Sequence, residues 1–218
     1  MSVEDELRKA IESVCADPLI YATENVFQAT LAEVLGNTQR ELVMNFDPPP
    51  ISPQLPTAED IAFCASKGRN LPLTGKDPCD GRSRKLDILW NSCPIELKCV
   101  VDASVDVHGY NFLKDLHRLE RLSGVATGTV LSHTRFAVFV SADAQLWQRK
   151  LPRAPNIYEG RKLEPGHWVQ YRQNSPVTRW HGYPPFYLAG RYELNWSPLP
   201  NGAKYLLVAV KKQNAPSI

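Results

Sequence analysis

Apolar residues recur at helical spacing in three stretches of the chain. Over residues 2–15, Leu7, Ala10, Ile11 and Val14 form one stripe, with Ser2 and Asp5 placed to cap it. Over 24–35 the stripe is Phe27, Leu31, Val34 and Leu35, between a Thr23 start signal and a Gly36 stop. Over 110–122 it is Leu113, Leu116 and Leu119. Residues 40–46, 85–90, 94–101 and 135–140 read as strands, the last a buried one. Further strands are expected at 167–171, 186–196 and 204–212, and a short helix at 142–150. Residues 47–81 open on Pro48-Pro49-Pro50, Pro53 and Pro56 and read as a loop or insertion holding a short helix over 57–66. The order predicts one α/β domain over 1–218, a sheet flanked by helices.

Two of these strands carry charge where the pattern asks for apolar residues. Lys85-Leu86-Asp87-Ile88-Leu89-Trp90 and Pro94-Ile95-Glu96-Leu97-Lys98-Cys99-Val100-Val101 flank a turn at Asn91-Ser92. A symmetric hairpin sets Trp90 opposite Cys93 and Asp87 opposite Glu96. Opposed side chains lie about 5 Å apart at Cβ, close enough to share one ion. Side chains alternate along a strand, so Lys98 joins Glu96 on that face, and Leu86, Ile88, Trp90, Ile95, Leu97 and Cys99 take the other. Unpaired buried charge is costly, and a divalent cation between the two carboxylates would compensate it.

Asp87 followed by Glu96-x-Lys98 resembles the PD-(D/E)xK motif of the restriction-endonuclease-like nucleases. Leu86 stands where that motif has its proline. The resemblance implies an αβββαβ core with a mixed central sheet, here with extra C-terminal strands. It also implies a metal-dependent nuclease, a DNA endonuclease of a restriction, defence or mobile-element setting. Asp87 and Glu96 would then bind Mg²⁺ (or Mn²⁺), the Leu97 carbonyl would be a third ligand, and Lys98 would polarise the attacking water.

The second helix supplies a further candidate. At 100° per residue, Glu24 falls within the arc of Phe27, Leu31, Val34 and Leu35, with Gln28 at its edge and Glu33 opposite. A carboxylate on a core-facing stripe needs a partner. Glu24-x-x-Phe27-Gln28-Ala29 also resembles the first-helix acid of this nuclease group, which implies that Glu24 binds a second metal or holds a metal water, with a supporting role for Gln28. On the helix over 110–122, Lys114, His117, Arg118 and Arg121 share a face away from the leucines, an expected phosphate contact or support for the site. The late aromatics, with Arg172, Arg179 and Arg191 among them, suit either base stacking or an ordinary core.

Composition narrows the partners. The net charge is +2, so nucleic-acid binding must come from local patches. Five cysteines without a C-x-x-C pair suit a reducing, cytoplasmic setting and give no zinc-ribbon spacing. The polar N-terminus does not read as a signal peptide, and no run reaches the roughly 20 apolar residues of a membrane span. Nucleic acid, with DNA foremost, is the expected partner, and a homodimer or a protein partner is compatible with double-strand cleavage. The alternative is a nuclease-like fold that binds nucleic acid or protein without cutting.

Overall fold

The computed structural model describes residues 2–49, 55–70, 77–79, 84–100, 105–148, 155–171 and 175–212. Helix α1 (Val3–Val14) begins in a capping box, Ser2 Oγ accepting from the Asp5 amide while Asp5 accepts from the Ser2 amide. Helix α2 (Glu24–Leu35) starts on the Thr23 hydroxyl and ends at Gly36, whose φ of 61° favours glycine. Strand β1 (Thr38–Phe46) leads to α3 (Ala58–Ser66), capped by Thr57. The hairpin follows as β2 (Lys85–Trp90) and β3 (Cys93–Val100). Helix α4 (Val105–Arg121) runs without a linker into β4 (Leu122–Val125), and β5 (Thr134–Ser141) and the single turn α5 (Gln145–Gln148) come next.

The C-terminal part holds β6 (Arg161–Leu163), β7 (His167–Val169), β8 (Phe186–Leu188), β9 (Tyr192–Leu194), β10 (Trp196–Pro198) and β11 (Lys204–Lys211). The strand expected over 186–196 is therefore three short strands. Ala189 and Gly190 interrupt it, their amides donating to Glu120 of α4 rather than to a ladder. The helix expected over 142–150 shrinks to one turn among the described residues.

Seven strands form one mixed sheet in the order β10-β11-β5-β3-β2-β1-β4. Only the β3–β5 pair among them is parallel, and α4 provides its crossover. Helices α1 and α2 cover one face through Leu7, Ile11, Phe27 and Leu31 against Ile88, Ile95, Leu97 and Val138. Helix α4 covers the other through Leu113, Leu116 and Leu119, with Leu89, Phe139 and Leu206 in the same cluster. Burial on both faces explains why β5 and β11 read as nearly continuous apolar runs.

Two features were not visible in the helical stripes. Val34 is 51% exposed although it shares the arc of Phe27 and Leu31, because α2 ends one residue later. Helix α4 is buried on both sides. Its outer face lies under residues 184–192: Tyr110 Oη donates to the Pro184 carbonyl, and Glu120 accepts from Ala189 N, Gly190 N and Tyr192 Oη. The short helix expected over 57–66 forms as α3, which seats Cys64 against Trp180 and accepts the Trp180 indole N–H on Asp60. Residues 50–54, 71–76, 80 and 81 of the 47–81 stretch lie outside the described residues.

Candidate active site

The hairpin turn forms as its sequence predicts. Asn91 and Ser92 have φ of 47° and 66°, the pair of positive values that closes a two-residue hairpin with the right twist. Trp90 pairs with Cys93, Leu89 with Pro94 and Ile88 with Ile95. Beyond Ile88 the ladder stops and the Asp87 side chain replaces it, its Oδ2 accepting from Leu97 N at 2.7 Å. On the β1 side the ladder skips Glu41, which has a φ of 57°. There the Asp87 carbonyl accepts from Gln28 Nε2 at 2.5 Å. The sheet is thus opened around Asp87 on both sides, and side chains stand in for the missing main-chain bonds.

Glu24, Asp87, Glu96 and Lys98 converge at this opening. Lys98 Nζ lies 2.9 Å from Glu24 Oε2 and 3.5 Å from the Leu97 carbonyl. Glu24 is half-exposed, while Glu96 is 3% exposed. Gln28 is buried and binds main chain, so it positions Asp87 rather than facing solvent.

Asp115 is the member that the periodicity argument missed. It is 1% exposed, 4.0 Å from Lys98 Nζ, and it accepts from Arg118 at 2.9 Å. The signal was present: Phe112 and Leu119, three before and four after, bracket it on the inner stripe of α4, the same argument that singled out Glu24.

Burial dominates the electrostatics. It pushes the Asp87 carboxyl up to about 6, against the opposing Leu97 N–H bond. It raises Glu96 well above the carboxylate range, with Asp87 and Asp115 adding to the effect and Arg118 opposing it. Asp87 and Glu96 face each other closely enough to share a proton. Glu96 Oε1 is buried without a hydrogen bond, Arg118 Nη2 standing 3.3 Å away outside bonding geometry. Burial works against the Lys98 ammonium, but Asp115 and Glu24 outweigh it and raise its pKa. Lys98 therefore stays charged at neutral pH. The donor set of two adjacent carboxyls, one with an orphaned oxygen, and the Leu97 carbonyl is all oxygen, which fits Mg²⁺ or Mn²⁺.

The four basic residues of α4 do not form a solvent-facing phosphate patch. Arg118 is turned inward to Glu96 and Asp115. His117 is 2% exposed, between the Tyr187 carbonyl at 3.0 Å and Asp77 Oδ2 at 3.1 Å. Arg121 is buried on Asp77 and on the Asp47 carbonyl. Lys114 is partly buried and bonded to Asn111, and burial lowers its pKa. The cause is the cover over α4: segments 77–79 and 184–192 lie on a face that helical periodicity assigns to solvent.

Tyr171, Trp180, Phe186, Tyr192 and Trp196 are likewise core residues. Arg179 faces Asp60 and Arg191 pairs with Glu164, and Arg172 lies outside the described residues. A second polar cluster was unforeseen. Asp77, Cys79 and His117 bring potential ligand atoms within 4.8 Å of one another, all buried. No helix among the described residues is long and apolar enough to cross a membrane. No family model, curated protein or solved structure matches the chain.

Proposed function

We propose that this chain is a metal-dependent nuclease of the restriction-endonuclease-like kind, acting on DNA as an endonuclease. One observation carries the reading: a hairpin and a helix distant in sequence bring Glu24, Asp87, Glu96 and Lys98 to one opening in the sheet. The succession α2-β1-β2-β3-α4-β5, with β3 parallel to β5, supports it as an αβββαβ core into which α3 and β4 are inserted.

Asp87, Glu96 and the Leu97 carbonyl would hold Mg²⁺, with Mn²⁺ able to substitute. When bound, the ion supplies an activated water and offsets charge on the phosphate. Glu24 holds the Lys98 ammonium at the mouth of the site. A phosphate entering there competes with Glu24 for that ammonium, which then steadies the attacked group and its water. Lys98 acts as a charge, not as a base, because Asp115 and Glu24 favour its protonated form. Arg118 and Asp115 keep Glu96 in place from α4. Lys114 would contact a backbone phosphate further along the strand, since His117, Arg118 and Arg121 are held by buried carboxylates. Cutting both strands would call on a second copy or a protein partner.

A second reading has its own support. Glu24 on Lys98 and Arg118 on Glu96 are ion pairs that close the site internally, as a nuclease-like binding module would. Supercoiled plasmid and a labelled RNA, incubated with wild type, Lys98→Ala and Glu96→Gln in Mg²⁺, Mn²⁺ or EDTA, separate the two. The nuclease reading expects nicking that needs metal and falls by about 10²–10³ in either variant. Binding of nucleic acid without cleavage in any metal would replace it by the binding module.

A further inference from the structure

We propose that Asp77, Cys79 and His117 form a second metal site, of the zinc class, distinct from the oxygen site at Asp87 and Glu96. Three different donor types meet there: a carboxylate, a sulfur and an imidazole nitrogen within 4.8 Å of one another. All three residues are at least nine-tenths buried, Asp77 at 4%, Cys79 at 7% and His117 at 2% exposure. A sulfur and nitrogen donor set selects a borderline-soft ion such as Zn²⁺ over Mg²⁺.

The hydrogen bonds around the cluster fix which atoms point inward. The Tyr187 carbonyl can only accept, so His117 Nδ1, 3.0 Å away, carries the hydrogen. Nε2 is left facing Asp77 Oδ2 at 3.1 Å. A metal-bound histidine ordinarily donates its other N–H to such a carbonyl. Asp77 is arranged the same way: its Oδ1 accepts from Cys79 N at 2.7 Å and from Arg121, and Oδ2 is turned toward the histidine. His117 and Asp77 thus each have one atom held by the surrounding protein and another aimed at the common centre, where the Cys79 sulfur also lies.

The charges also balance. Zn²⁺ with one thiolate, one carboxylate and a neutral imidazole sums to zero. On binding, the Cys79 S–H bond breaks, its proton goes to solvent and the sulfur lone pair forms the metal bond. Arg121 remains on the outer oxygen of Asp77, and Glu120, 4.0 Å from His117 Nδ1, supplies a buried negative charge nearby. Three protein ligands leave the fourth position of a tetrahedron to water. Filled, the site ties the segment before β2 to the helix that carries Asp115 and Arg118. The C-x-x-C criterion passed over it because its ligands come from Asp77-Pro78-Cys79 and from a helix face far along the chain.

Cobalt is the probe, since it reports both tetrahedral geometry and sulfur ligation. Metal-stripped, fully reduced wild-type chain is titrated with CoCl₂. One equivalent should give the visible bands of tetrahedral Co²⁺ with a near-ultraviolet thiolate-to-cobalt band, and Zn²⁺ should bleach both. Cys79→Ser should lose the thiolate band, and His117→Gln should weaken binding by more than about 100-fold, since even partners outside the ligand set cost 10–100-fold. Glu96→Gln and Asp87→Asn should bind as wild type does, so this result stands apart from the nuclease assay. A wild-type chain that gives no thiolate band, or a band that survives in Cys79→Ser, overturns the proposal. The wild-type titration decides even if a variant misfolds.

Discussion

Asp87 sits in the fold at an energetic cost, and that cost can be measured. Its folded pKa is raised by burial to about 6, above the value of about 4 in an unfolded chain. The ionised form is therefore disfavoured by folding. The metal-free protein should lose stability as pH rises from about 4 through about 6, and saturating Mg²⁺ should flatten that loss, because the ion replaces the proton. Urea unfolding at pH 4.5 and 7.5, with EDTA and with Mg²⁺, checks the sign. An Asp87→Asn chain keeps an oxygen for the Leu97 N–H and removes the charge. It should be more stable than wild type at pH 7.5 in EDTA by about 1–2 kcal/mol, while losing nicking activity. Asp87 and Glu24 were legible from sequence because a charge interrupts an apolar pattern. Asp115 obeyed the same rule and was hidden by the charged residues around it.

The turn and the pairs from Trp90–Cys93 to Ile88–Ile95 were legible to the residue, since turn length and alternation fix the register; beyond them the ladder opens at Asp87, and Leu86 packs with the α4 cluster instead of with Ile88. The same turn offers a local test. Ser92 holds a φ of 66° that serine adopts reluctantly, so Ser92→Gly should stabilise the chain by about 0.5–1 kcal/mol in thermal unfolding. Helix α4 is the contrasting case. Its leucine stripe follows from spacing, but the helix starts at Val105 and not at 110, and spacing cannot reveal a cover contributed by other parts of the chain. His117 and Arg121 read as part of a phosphate-contacting or site-supporting face and, like Glu120, are instead bonded core groups. Gly109 marks how closely the cover approaches: a Cβ there would overlap the Pro155 carbonyl oxygen. Gly109→Ala should cost at least about 2 kcal/mol, well above the roughly 1 kcal/mol usual for a surface change, as chemical denaturation would show.

At the scale of the molecule, one carboxylate fastens the cover to the core. Glu120 receives three donors, the buried Gly190 N at 2.6 Å and Tyr192 Oη at 2.6 Å and the half-buried Ala189 N at 3.0 Å. Glu120→Ala strands all three and should cost at least about 3 kcal/mol. Glu33→Ala, on the exposed side of α2, should cost almost nothing. Both are read from denaturant midpoints. A sheet flanked by helices was legible as a class from apolar strands alternating with helices, and its mixed character was expected from the nuclease resemblance. The order β11-β5-β3 was not legible, because no local signal says which edge a late strand joins.

The chain order of that fastening has a consequence for synthesis. Residues 189–192, which hold the outside of α4, are translated about seventy positions after Glu120. The helix supplying Asp115 and Arg118 cannot take its final seat until they emerge. A nascent chain on the ribosome would therefore carry the whole Asp87–Lys98 hairpin well before the surroundings that bury Glu96 and seat Lys98 could be completed.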